Sequence, residues 1–569
     1  MCGILLIVSK KKLDKKKCLI SQKSIETRGP DRILNKYFNN GKIFLSNSIL
    51  SITGSLKNKK KIAVSKSKNY HIAFNGEIYN WKDLTHRYNL KFVKNDTDLL
   101  VNLFDKLNKK QIPKLMNGMF AYCVVNKKTN KIYFSSDVQG EKKLFYYMDN
   151  NLFILSSNIN AIIKYIGKDK LDYESIKNYM FSRHFIFFDN TIFKNIKILR
   201  PGYQATFCIK DFILKKNIYE NPLNWISKKI YLNNNLKNKT TLISEFEEEL
   251  NKQAKLMIPN KKFACILSGG IDSGLQTAII SKIKKPHNIS GLNYLHKDKA
   301  SNQIKKFEKF LNQKVDKVNL SKDKYLSDLK YSYKIACMPF LTHDFIGRYQ
   351  ISKFFKSFGN KVFFAADGVD ELLGGYKIYE TLNWNNTKNN SPYSKINLNT
   401  KLNKKINRIW KKAFNKYNSF LNKKDSNIQA TLFTDYFVNS IYVANIGTDI
   451  MCSYNGIEAR NIFIQKKIIQ KIINLPIRYK INFKSRDKRF YLKYLAKKIF
   501  MKHYKKELIF EKQGFSGFPN ASRELLKNGK FEYVNKILDL KKIKLNLANE
   551  WKILNLEFFL KINSDKINF

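Results

Sequence analysis

The stretch FACILSGGIDSG, residues 263–274, decides the fold of the second half of this chain. Its apolar run Phe263–Leu267 leads into Ser268-Gly269-Gly270, and the helical pattern LQTAIISKI follows at residues 275–283. A short buried strand that runs through a glycine loop into a helix is the repeating unit of a parallel sheet. Backbone N–H groups in such a loop approach phosphate oxygens closely, and the helix N-terminus favours an anion. The stretch therefore predicts a phosphate site on an α/β domain.

The polar residues after the glycines admit two interpretations. Asp272 is placed to position Mg²⁺, or Asp272 or Ser273 merely caps the helix. The loop is not a Walker loop, because the G-K-[ST] ending is absent. The full SGGxDS string directly after a strand favours the phosphate site over the simple cap.

A second acidic loop follows another apolar strand, at FFAADGVDELLGGYKIY, residues 363–379. Parallel sheets bind ligands beyond the carboxyl ends of their strands, and carboxylates there suit Mg²⁺. We therefore expect Asp367 and Asp370 to act together, whereas Glu371 is also explained as a helix cap. Helices are expected to dominate the rest of the chain, after a poorly ordered excursion at Asn383–Asn407.

The first 215 residues have a different sequence pattern, in which short apolar runs are separated by turns rich in Asn, Gly and Lys. This spacing predicts antiparallel sheet, a buried first strand in MCGILLIVS, and helices at 99–107 and 173–181. The segment 220–240 has the composition of a linker. We expect two domains, 2–215 and 240–569.

Cys2 stands where removal of the initiator methionine would make it the free N-terminus. A thiol beside an α-amine of pKa about 8 forms a nucleophile with its own base. Attack on an amide generates an oxyanion, and Asn75-Gly76 is a candidate pair of donors for it. Taken singly, Cys2 is explained as a buried apolar residue and Asn75-Gly76 as a hairpin turn.

The composition argues against several classes of protein, including nucleic-acid-binding, membrane and disulfide-rich proteins. The net charge of +61 suggests nucleic-acid binding, but the lysines are spread along the whole chain and their runs lack interleaved aromatic residues. No apolar run is long enough for a membrane span, and the N-terminus lacks the pattern of a secretory signal. The seven scattered cysteines and seven histidines indicate neither a disulfide framework nor a zinc site, which fits a cytoplasmic protein.

Several segments around Cys2 together resemble the class II glutamine amidotransferases: RGPD (28–31), NGEIYN (75–80), NDTD (95–98) and LMNGMFAY (115–122). The resemblance implies an N-terminal-nucleophile αββα sandwich in which Cys2 attacks the glutamine amide, Asn75 and Gly76 form the oxyanion hole, and Glu77 and Asp96 hold the α-amino end. Where the family has R-L-S-I, whose arginine grips the α-carboxylate, this chain has Ile49, Leu50, Ser51 and Ile52.

The second half, with SGGIDS, the acidic loop, GIEAR (456–460) and EKQGFSGFP (511–519), resembles the asparagine synthetase family. The resemblance implies cleavage of ATP to AMP and pyrophosphate, with Mg²⁺. The resemblance implies that Asp367 supports acyl-adenylate formation, that Asp272 and Asp370 hold the metal, and that Lys512 stabilises charge at the adenylate. It places the nucleotide contacts at Leu267, Ser268, Gly269, Gly270, Asp272, Ser273, Asn293, Ala365 and Ala366. This chain departs from the family at Ala365, Ala366, Phe510, Ile462 and Gln465, and these departures leave the carboxylate acceptor open.

The leading hypothesis is therefore a glutamine-hydrolysing asparagine synthetase that makes asparagine from ATP, aspartate and glutamine and passes ammonia internally. One alternative keeps the mechanism and changes the acceptor to a sugar uronate. Another is an ammonia-dependent synthetase with a residual glutaminase, because Ile49 replaces the arginine. A basic nucleic-acid-binding protein on a degenerate scaffold is the alternative of a different class. A homodimer is compatible with each enzyme hypothesis.

Overall fold

The computed structural model describes residues 1–54, 61–182, 188–293, 299–319, 322–340, 344–381, 401–509, 531–539 and 547–569. Within these ranges the first half contains two antiparallel six-stranded sheets and the second half a parallel five-stranded sheet. The predicted α+β sandwich followed by an α/β domain with a helical C-terminal part is confirmed. None of the helices in the described part of the chain combines the length and apolar character that a membrane crossing requires.

The first half has four layers. Its strands are β1 (Gly3–Ser9), β2 (Arg32–Phe38), β3 (Ile43–Ile49), β4 (Ala63–Val64), β5 (Tyr70–Ile78), β6 (Gly118–Asn126), β7 (Lys131–Ser136), β8 (Phe145–Met148), β9 (Leu152–Ser156), β10 (Asp169–Lys170), β11 (Ile196–Ile198), β12 (Tyr203–Cys208) and β13 (Ile213–Ile218). Its helices are α1 (Lys15–Glu26), α2 (Trp81–Arg87), α3 (Asp96–Lys106), α4 (Ile112–Leu115), α5 (Ile159–Ile166) and α6 (Tyr173–Ser182). The sheet orders are β11-β8-β9-β1-β3-β2 and β13-β12-β7-β6-β5-β4. Helices α1 and α5 cover the first sheet, and α3 covers the second.

Strand β1 is buried on both faces, because it lies inside the first sheet between the second sheet and the helices. Ile4, Leu6 and Val8 pack into the core between the two sheets, while Leu5 and Ile7 belong to the core on the helix side. Alternate residues of a strand point to opposite faces, so an apolar run without alternation is what such a doubly covered strand requires. The predicted buried first strand is confirmed.

The second half adds strands β14 (Phe263–Ile266), β15 (Asn288–Asn293), β16 (Asp316–Asn319), β17 (Val362–Phe364), β18 (Glu458–Arg460) and β19 (Ile567–Asn568). Its helices are α7 (Lys228–Leu236), α8 (Lys239–Met257), α9 (Ile271–Ile283), α10 (Lys299–Leu311), α11 (Lys322–Ala336), α12 (Asp344–Ser357), α13 (Val369–Leu373), α14 (Ile378–Thr381), α15 (Lys401–Asn418), α16 (Lys423–Asp435), α17 (Asn445–Ser453), α18 (Lys466–Ile473), α19 (Tyr494–His503), α20 (Glu532–Asn535) and α21 (Leu547–Ile562). The π-helical segment Tyr436–Ala444 joins α16 to α17.

The parallel sheet has the order β16-β15-β14-β17-β18, so the chain leaves β14 towards one edge and later returns to build the other. The loops after β14 and β17 therefore open at a switch in strand order, where α/β sheets bind ligands. Both motifs that the sequence singled out, SGGIDS and the acidic loop, follow these two adjacent strands.

Two predictions about irregular segments are wrong in part. The segment 220–240 is not a simple linker, because it carries helix α7 and buries Trp225 and Tyr231. Residues 401–407 of the expected excursion lie in helix α15, and the rest of that excursion from residue 383 lies outside the described residues. Both segments read as loops because Asn and Lys dominate them, and packing of a few apolar residues outweighs that composition.

Candidate active site

The Cys2 thiol lies at the end of the sandwich, against the segment that follows β3. Its Sγ accepts a hydrogen bond from the backbone N–H of Leu50 at 3.4 Å. The Nε of Arg28 donates to the Cys2 carbonyl oxygen at 3.0 Å and fixes the backbone there. Burial raises the pKa of the Cys2 thiol above its usual value, so a base is needed to form the thiolate. The neighbouring Met1 α-amine is buried, which lowers its pKa to about 5.

Asn75 and Gly76 lie inside strand β5, paired with Ala121 and Phe120 of β6. The hairpin-turn interpretation is therefore wrong. Asn75 is fully buried, and neither its Nδ2 nor its Oδ1 has a hydrogen-bond partner among the described residues. Gly76 has a φ of 140°, and a Cβ there would overlap the carbonyl oxygen of Met119. A buried amide without a partner is what an oxyanion donor requires before substrate binds.

Two carboxylates, those of Glu77 and Asp96, lie close to Asn75 and Gly76 at the end of β5. Glu77 accepts a hydrogen bond from the Thr53 hydroxyl at 2.6 Å and pairs with Arg460 at 3.2 Å. Burial raises the pKa of Glu77, although Arg460 opposes that shift. Asp96 is buried at the start of α3, where its Oδ2 accepts from the backbone N–H of Ile78 at 3.2 Å. The structure thus brings both predicted ammonium-binding residues to the end of β5.

Residues 49–52, which replace the family's R-L-S-I, contribute backbone groups to the site rather than a charged side chain. Leu50 and Ile52 are buried apolar residues, and Ile49 is partly buried at the edge of the core between the sheets. The Ser51 N–H donates to the Asp31 carboxylate at 2.7 Å. Of these four residues, Leu50 is the one whose backbone reaches the Cys2 thiol in the described structure.

Asn47 is a functional candidate that the sequence analysis missed. Its Nδ2 donates to the carbonyl oxygens of Gly3 at 2.9 Å and Phe74 at 3.1 Å, and its Oδ1 accepts from the Phe74 N–H at 3.1 Å. The amide therefore ties the residue after Cys2 to the residue before Asn75. The polar SNS at 46–48 inside an apolar strand was the available signal.

In the second half, the glycine loop after β14 has the predicted form. Strand β14 stops at Ile266, Leu267 is buried, and Gly269 adopts a φ of 82°. The Ser268 N–H donates to the Ser273 hydroxyl at 3.1 Å, which closes the loop onto α9. Gly270 is the N-cap and has no side chain to cap the helix, and the Ser273 hydroxyl donates to the Gly270 carbonyl oxygen at 3.2 Å. The start of this 13-residue helix can receive an anion.

Asp272 and Asp370 lie on the two adjacent loops and share one cation, the ammonium of Lys493. Lys493 pairs with Asp370 at 2.5 Å and also contacts Asp272. Although burial opposes the shift, these two carboxylates raise the pKa of Lys493. The described residues include no group of three His, Cys, Asp or Glu side chains arranged to hold a metal. Two carboxylates nevertheless fit Mg²⁺, which is commonly held by one or two carboxylates together with substrate phosphates.

Asp367 lies on the loop after β17 and is held by an arginine that the sequence analysis did not single out. Arg348 of α12 donates to both Asp367 carboxylate oxygens, at 2.6 and 3.0 Å, and also contacts Thr448. The Thr448 hydroxyl donates to the same carboxylate at 3.1 Å, and the Asn461 amide donates to the Asp367 backbone oxygen at 2.7 Å. Asp367 is thus held by side chains from α12, from α17 and from the segment after β18.

The structure describes only some of the other residues that the sequence analysis assigned to ATP binding. Ala365 is buried and its N–H donates to the Arg460 carbonyl at 2.8 Å, with Ala366 directly after it. Asn293 is the last residue of β15, paired with Asn319. Lys512 and the segment around it lie outside the described residues.

A small cavity of about 20 Å³, enough for about one water-sized molecule, lies between the two ends of the site. Met1 lines it at the glutaminase end and Asp367 at the synthetase end, and its walls also include Glu141, Lys142, Ala365, Asn445, Thr448, Asp449, Ala459, Arg460, Asn461 and Ile464. Arg28 pairs with Asp449 at 2.9 Å beside this cavity, and Arg460 pairs with Glu77 of β5 at 3.2 Å. Buried charges of the two halves are therefore paired with each other.

The two halves of the chain each match a known family. The glutamine amidotransferase domain family matches residues 1–219, and the asparagine synthase family matches residues 245–562. The chain belongs to the asparagine synthase family. The resemblance expected from the sequence is confirmed.

Individual relatives are distant. The Bos taurus asparagine synthetase [glutamine-hydrolyzing] is 24% identical over 415 residues, which cover 66% of this chain and 67% of that protein. The Bacillus subtilis asparagine synthetase [glutamine-hydrolyzing] 1 is 26% identical over 398 residues, covering 67% and 59%. A Methanocaldococcus jannaschii protein whose name also describes an asparagine synthetase is 29% identical over 315 residues, covering 54% and 58%. The matches thus span about three fifths to two thirds of these relatives.

Among solved structures, the glutamine phosphoribosylpyrophosphate amidotransferase from B. subtilis overlaps 47% of this chain and 60% of that one. The TM-score of this overlap is 0.28 and the sequence identity is 14%. The family matches, not this overlap, define the class.

Proposed function

We propose that the protein is a glutamine-dependent asparagine synthetase made of the two domains expected at 2–215 and 240–569. Glutamine and ATP would be its nitrogen and energy sources, aspartate its acceptor, and Mg²⁺ its metal. The observation that carries the proposal is the small cavity that both Met1 and Asp367 line. A glutaminase and an adenylating site need a protected route between them, since ammonia released into water is protonated and lost as a nucleophile.

The glutaminase half would work with its own N-terminus. Once Met1 is removed, the Cys2 α-amine accepts the thiol proton, and the thiolate attacks the glutamine side-chain carbonyl. The Asn75 amide and the Gly76 backbone face the developing oxyanion, and the collapse of this intermediate expels ammonia and leaves a thioester on Cys2. Water then releases glutamate. Glu77 and Asp96 pair with the α-ammonium of the substrate.

The synthetase half would bind ATP phosphates on the loop Leu267–Ser273. Asp272 and Asp370 would hold Mg²⁺, which neutralises phosphate charge when bound. The acceptor carboxylate attacks the α-phosphate and pyrophosphate leaves; ammonia then attacks the acyl carbon and AMP leaves. We assign orientation of the acceptor to Asp367 and charge stabilisation at the adenylate to Lys512.

The first experiment measures pyrophosphate release with ATP, Mg²⁺ and ammonium, with and without aspartate, while asparagine is quantified. Ammonium bypasses the glutaminase half, so this assay tests the acceptor alone. We expect aspartate-dependent pyrophosphate matched by asparagine, and loss of both in Asp367→Asn. Pyrophosphate release that responds to a uronic acid and not to aspartate would contradict the aspartate assignment and keep the mechanism.

A further inference from the structure

An ion pair between the two halves of the chain lies close to the proposed nucleophile. The ammonium of Lys361, the residue before β17, pairs at 2.5 Å with the carboxylate of Asp31, the residue before β2. Although burial opposes the shift, Lys361 and the Ser51 N–H hold the pKa of Asp31 below its usual value. Asp31 is therefore ionised at neutral pH, and its charged partner belongs to the other half of the chain.

Asp31 fixes the backbone on both sides of Leu50. Its N–H donates to the Ile49 carbonyl oxygen at 3.1 Å, and its carboxylate accepts from the Ser51 N–H at 2.7 Å. Leu50, between these two contacts, donates its own N–H to Cys2 Sγ at 3.4 Å. A backbone donor stabilises a thiolate more than a thiol, because the thiolate carries the charge. The position of Leu50 therefore affects the reactivity of Cys2.

The backbone of Lys361 is fixed within the parallel sheet. Its N–H donates to the Lys262 carbonyl oxygen at 3.0 Å, and its carbonyl oxygen accepts from the Glu458 N–H at 2.9 Å. These bonds extend the pairing of β17 with β14 on one side and with β18 on the other. Side chains carried by rigid elements are placed more precisely than side chains on loops. The second half thus offers Asp31 a cation from a fixed backbone position.

The turn that carries Asp31 packs against both halves of the chain. A Cβ on Gly29 would overlap the backbone nitrogen of Ile49, so this turn lies directly on the end of β3. A Cβ on Gly456, in the segment before β18, would lie 2.8 Å from Cγ of Pro30. The turn is therefore in contact with the segment around Leu50 on one side and with the second half on the other.

We propose that Lys361 is a positioning residue of the glutaminase site, an inference that rests on the glutaminase activity proposed above. Its ammonium orients the Asp31 carboxylate, and Asp31 holds the backbone around Leu50 against the Cys2 thiol. The two side chains of the pair are 25% and 23% exposed, and partly exposed ion pairs contribute little to stability. The pair therefore acts on the geometry of the thiol site, which the second half completes.

The test compares Lys361→Met with wild type, both as the full-length protein. We expect kcat for glutamine hydrolysis to fall by about 10-fold with KM within about 3-fold, because a shift of Leu50 weakens the nucleophile more than substrate binding. Ammonium-dependent pyrophosphate release should stay within about 2-fold, and the melting temperature within about 3 °C, of wild type.

Lys356→Met is the matched control. The Lys356 ammonium belongs to the same region of the second half, but it contacts the Gly456 carbonyl oxygen at 3.5 Å instead of the Asp31 carboxylate. This variant removes one positive charge without removing the ion pair, so it should keep the wild-type kcat for glutamine hydrolysis.

Two further variants test whether Lys361 acts through Asp31. Lys361→Arg keeps a cation that can pair with a carboxylate, so kcat should stay within about 3-fold of wild type. In an Asp31→Asn background, Lys361→Met should change kcat by less than about 2-fold, because the two side chains form one interaction and their effects are not additive.

The outcomes separate this proposal from the glutaminase itself. A wild-type protein that hydrolyses glutamine, with kcat unchanged in Lys361→Met, overturns the role of Lys361 alone. Fully additive effects of Asp31→Asn and Lys361→Met overturn it as well. Equal losses of glutamine hydrolysis and of ammonium-dependent pyrophosphate release would assign Lys361 a general structural role and would also overturn it. A wild-type protein that hydrolyses no glutamine overturns both the glutaminase and its positioning residue.

Discussion

At the scale of single residues, Asn75 and Asn47 show how differently two buried amides behave in one sandwich. The Asn47 side chain makes three hydrogen bonds to backbone groups of β1 and β5 and a fourth to the Ser48 carbonyl oxygen, whereas the Asn75 side chain makes none among the described residues. A buried polar group without a partner costs about 1–3 kcal/mol, so Asn75 is retained at the expense of stability. An oxyanion that forms during the reaction would supply the missing partner.

We expect Asn75→Leu to reduce glutaminase kcat by about 100-fold or more while the free energy of unfolding stays equal or rises by up to about 1 kcal/mol. The matched control is Asn47→Leu, which should lower the free energy of unfolding by about 2 kcal/mol, because it leaves backbone groups of Gly3 and Phe74 without partners. Denaturant unfolding and glutaminase kinetics measure both. A marked loss of stability in Asn75→Leu would mean that the amide has a structural partner.

At the scale of elements, three segments that are far apart in sequence meet at the glycine loop after β14. The loops after β14 and β17 bring Asp272 and Asp370 together, and Lys493 reaches both from the residue before α19. Gly375 makes room for this contact, because a Cβ there would overlap both Lys493 and Asp370. The ammonium neutralises two carboxylates that would otherwise repel each other.

We expect Lys493→Met to destabilise the protein by about 3 kcal/mol in chelator, since removing one partner leaves buried charge unpaired. Mg²⁺ should then raise the melting temperature of the variant more than that of the wild type, because the ion takes over the role of the ammonium. Lys502→Met is the control, as Lys502 pairs with Glu247 and is 41% exposed. Equal responses of wild type and variant to Mg²⁺ would contradict a metal site between Asp272 and Asp370.

The motifs that the sequence revealed are local, and the residues that it missed are not. The sequence alone reveals Cys2, Asn75-Gly76 and SGGIDS, because the chemistry of these sites needs neighbouring residues in a fixed order. Lys493 is one of 106 Lys and Arg residues, and more than a hundred residues separate it from Asp370. Lys493 can be recognised as a site residue only from the three-dimensional structure. The same is true of Arg348, which lies on a helix with no motif around it.

At the scale of the whole molecule, buried charges link the two halves. Arg28 of the sandwich bonds to the Cys2 carbonyl, to Ser453 at 2.8 Å and to Asp449 of α17 at 2.9 Å. Although burial opposes the shift, Arg28 and Lys142 hold the pKa of Asp449 below its usual value. Cys2, the proposed nucleophile, is therefore positioned partly by the second half, beside the small cavity that Met1 and Asp367 line.

Asp449→Asn tests whether this contact serves transfer between the sites. We expect the free energy of unfolding to fall by about 3 kcal/mol, since the Arg28 charge stays buried with its ion pair removed. Glutamate formed per asparagine should rise above one as ammonia escapes, while the rate with added ammonium is retained. The control is Asp189→Asn, whose partly exposed pairs with Arg200 and Lys216 lie in the sandwich and should contribute at most about 1 kcal/mol. A ratio that stays at one in a folded Asp449→Asn protein would mean that the cavity retains ammonia without this ion pair.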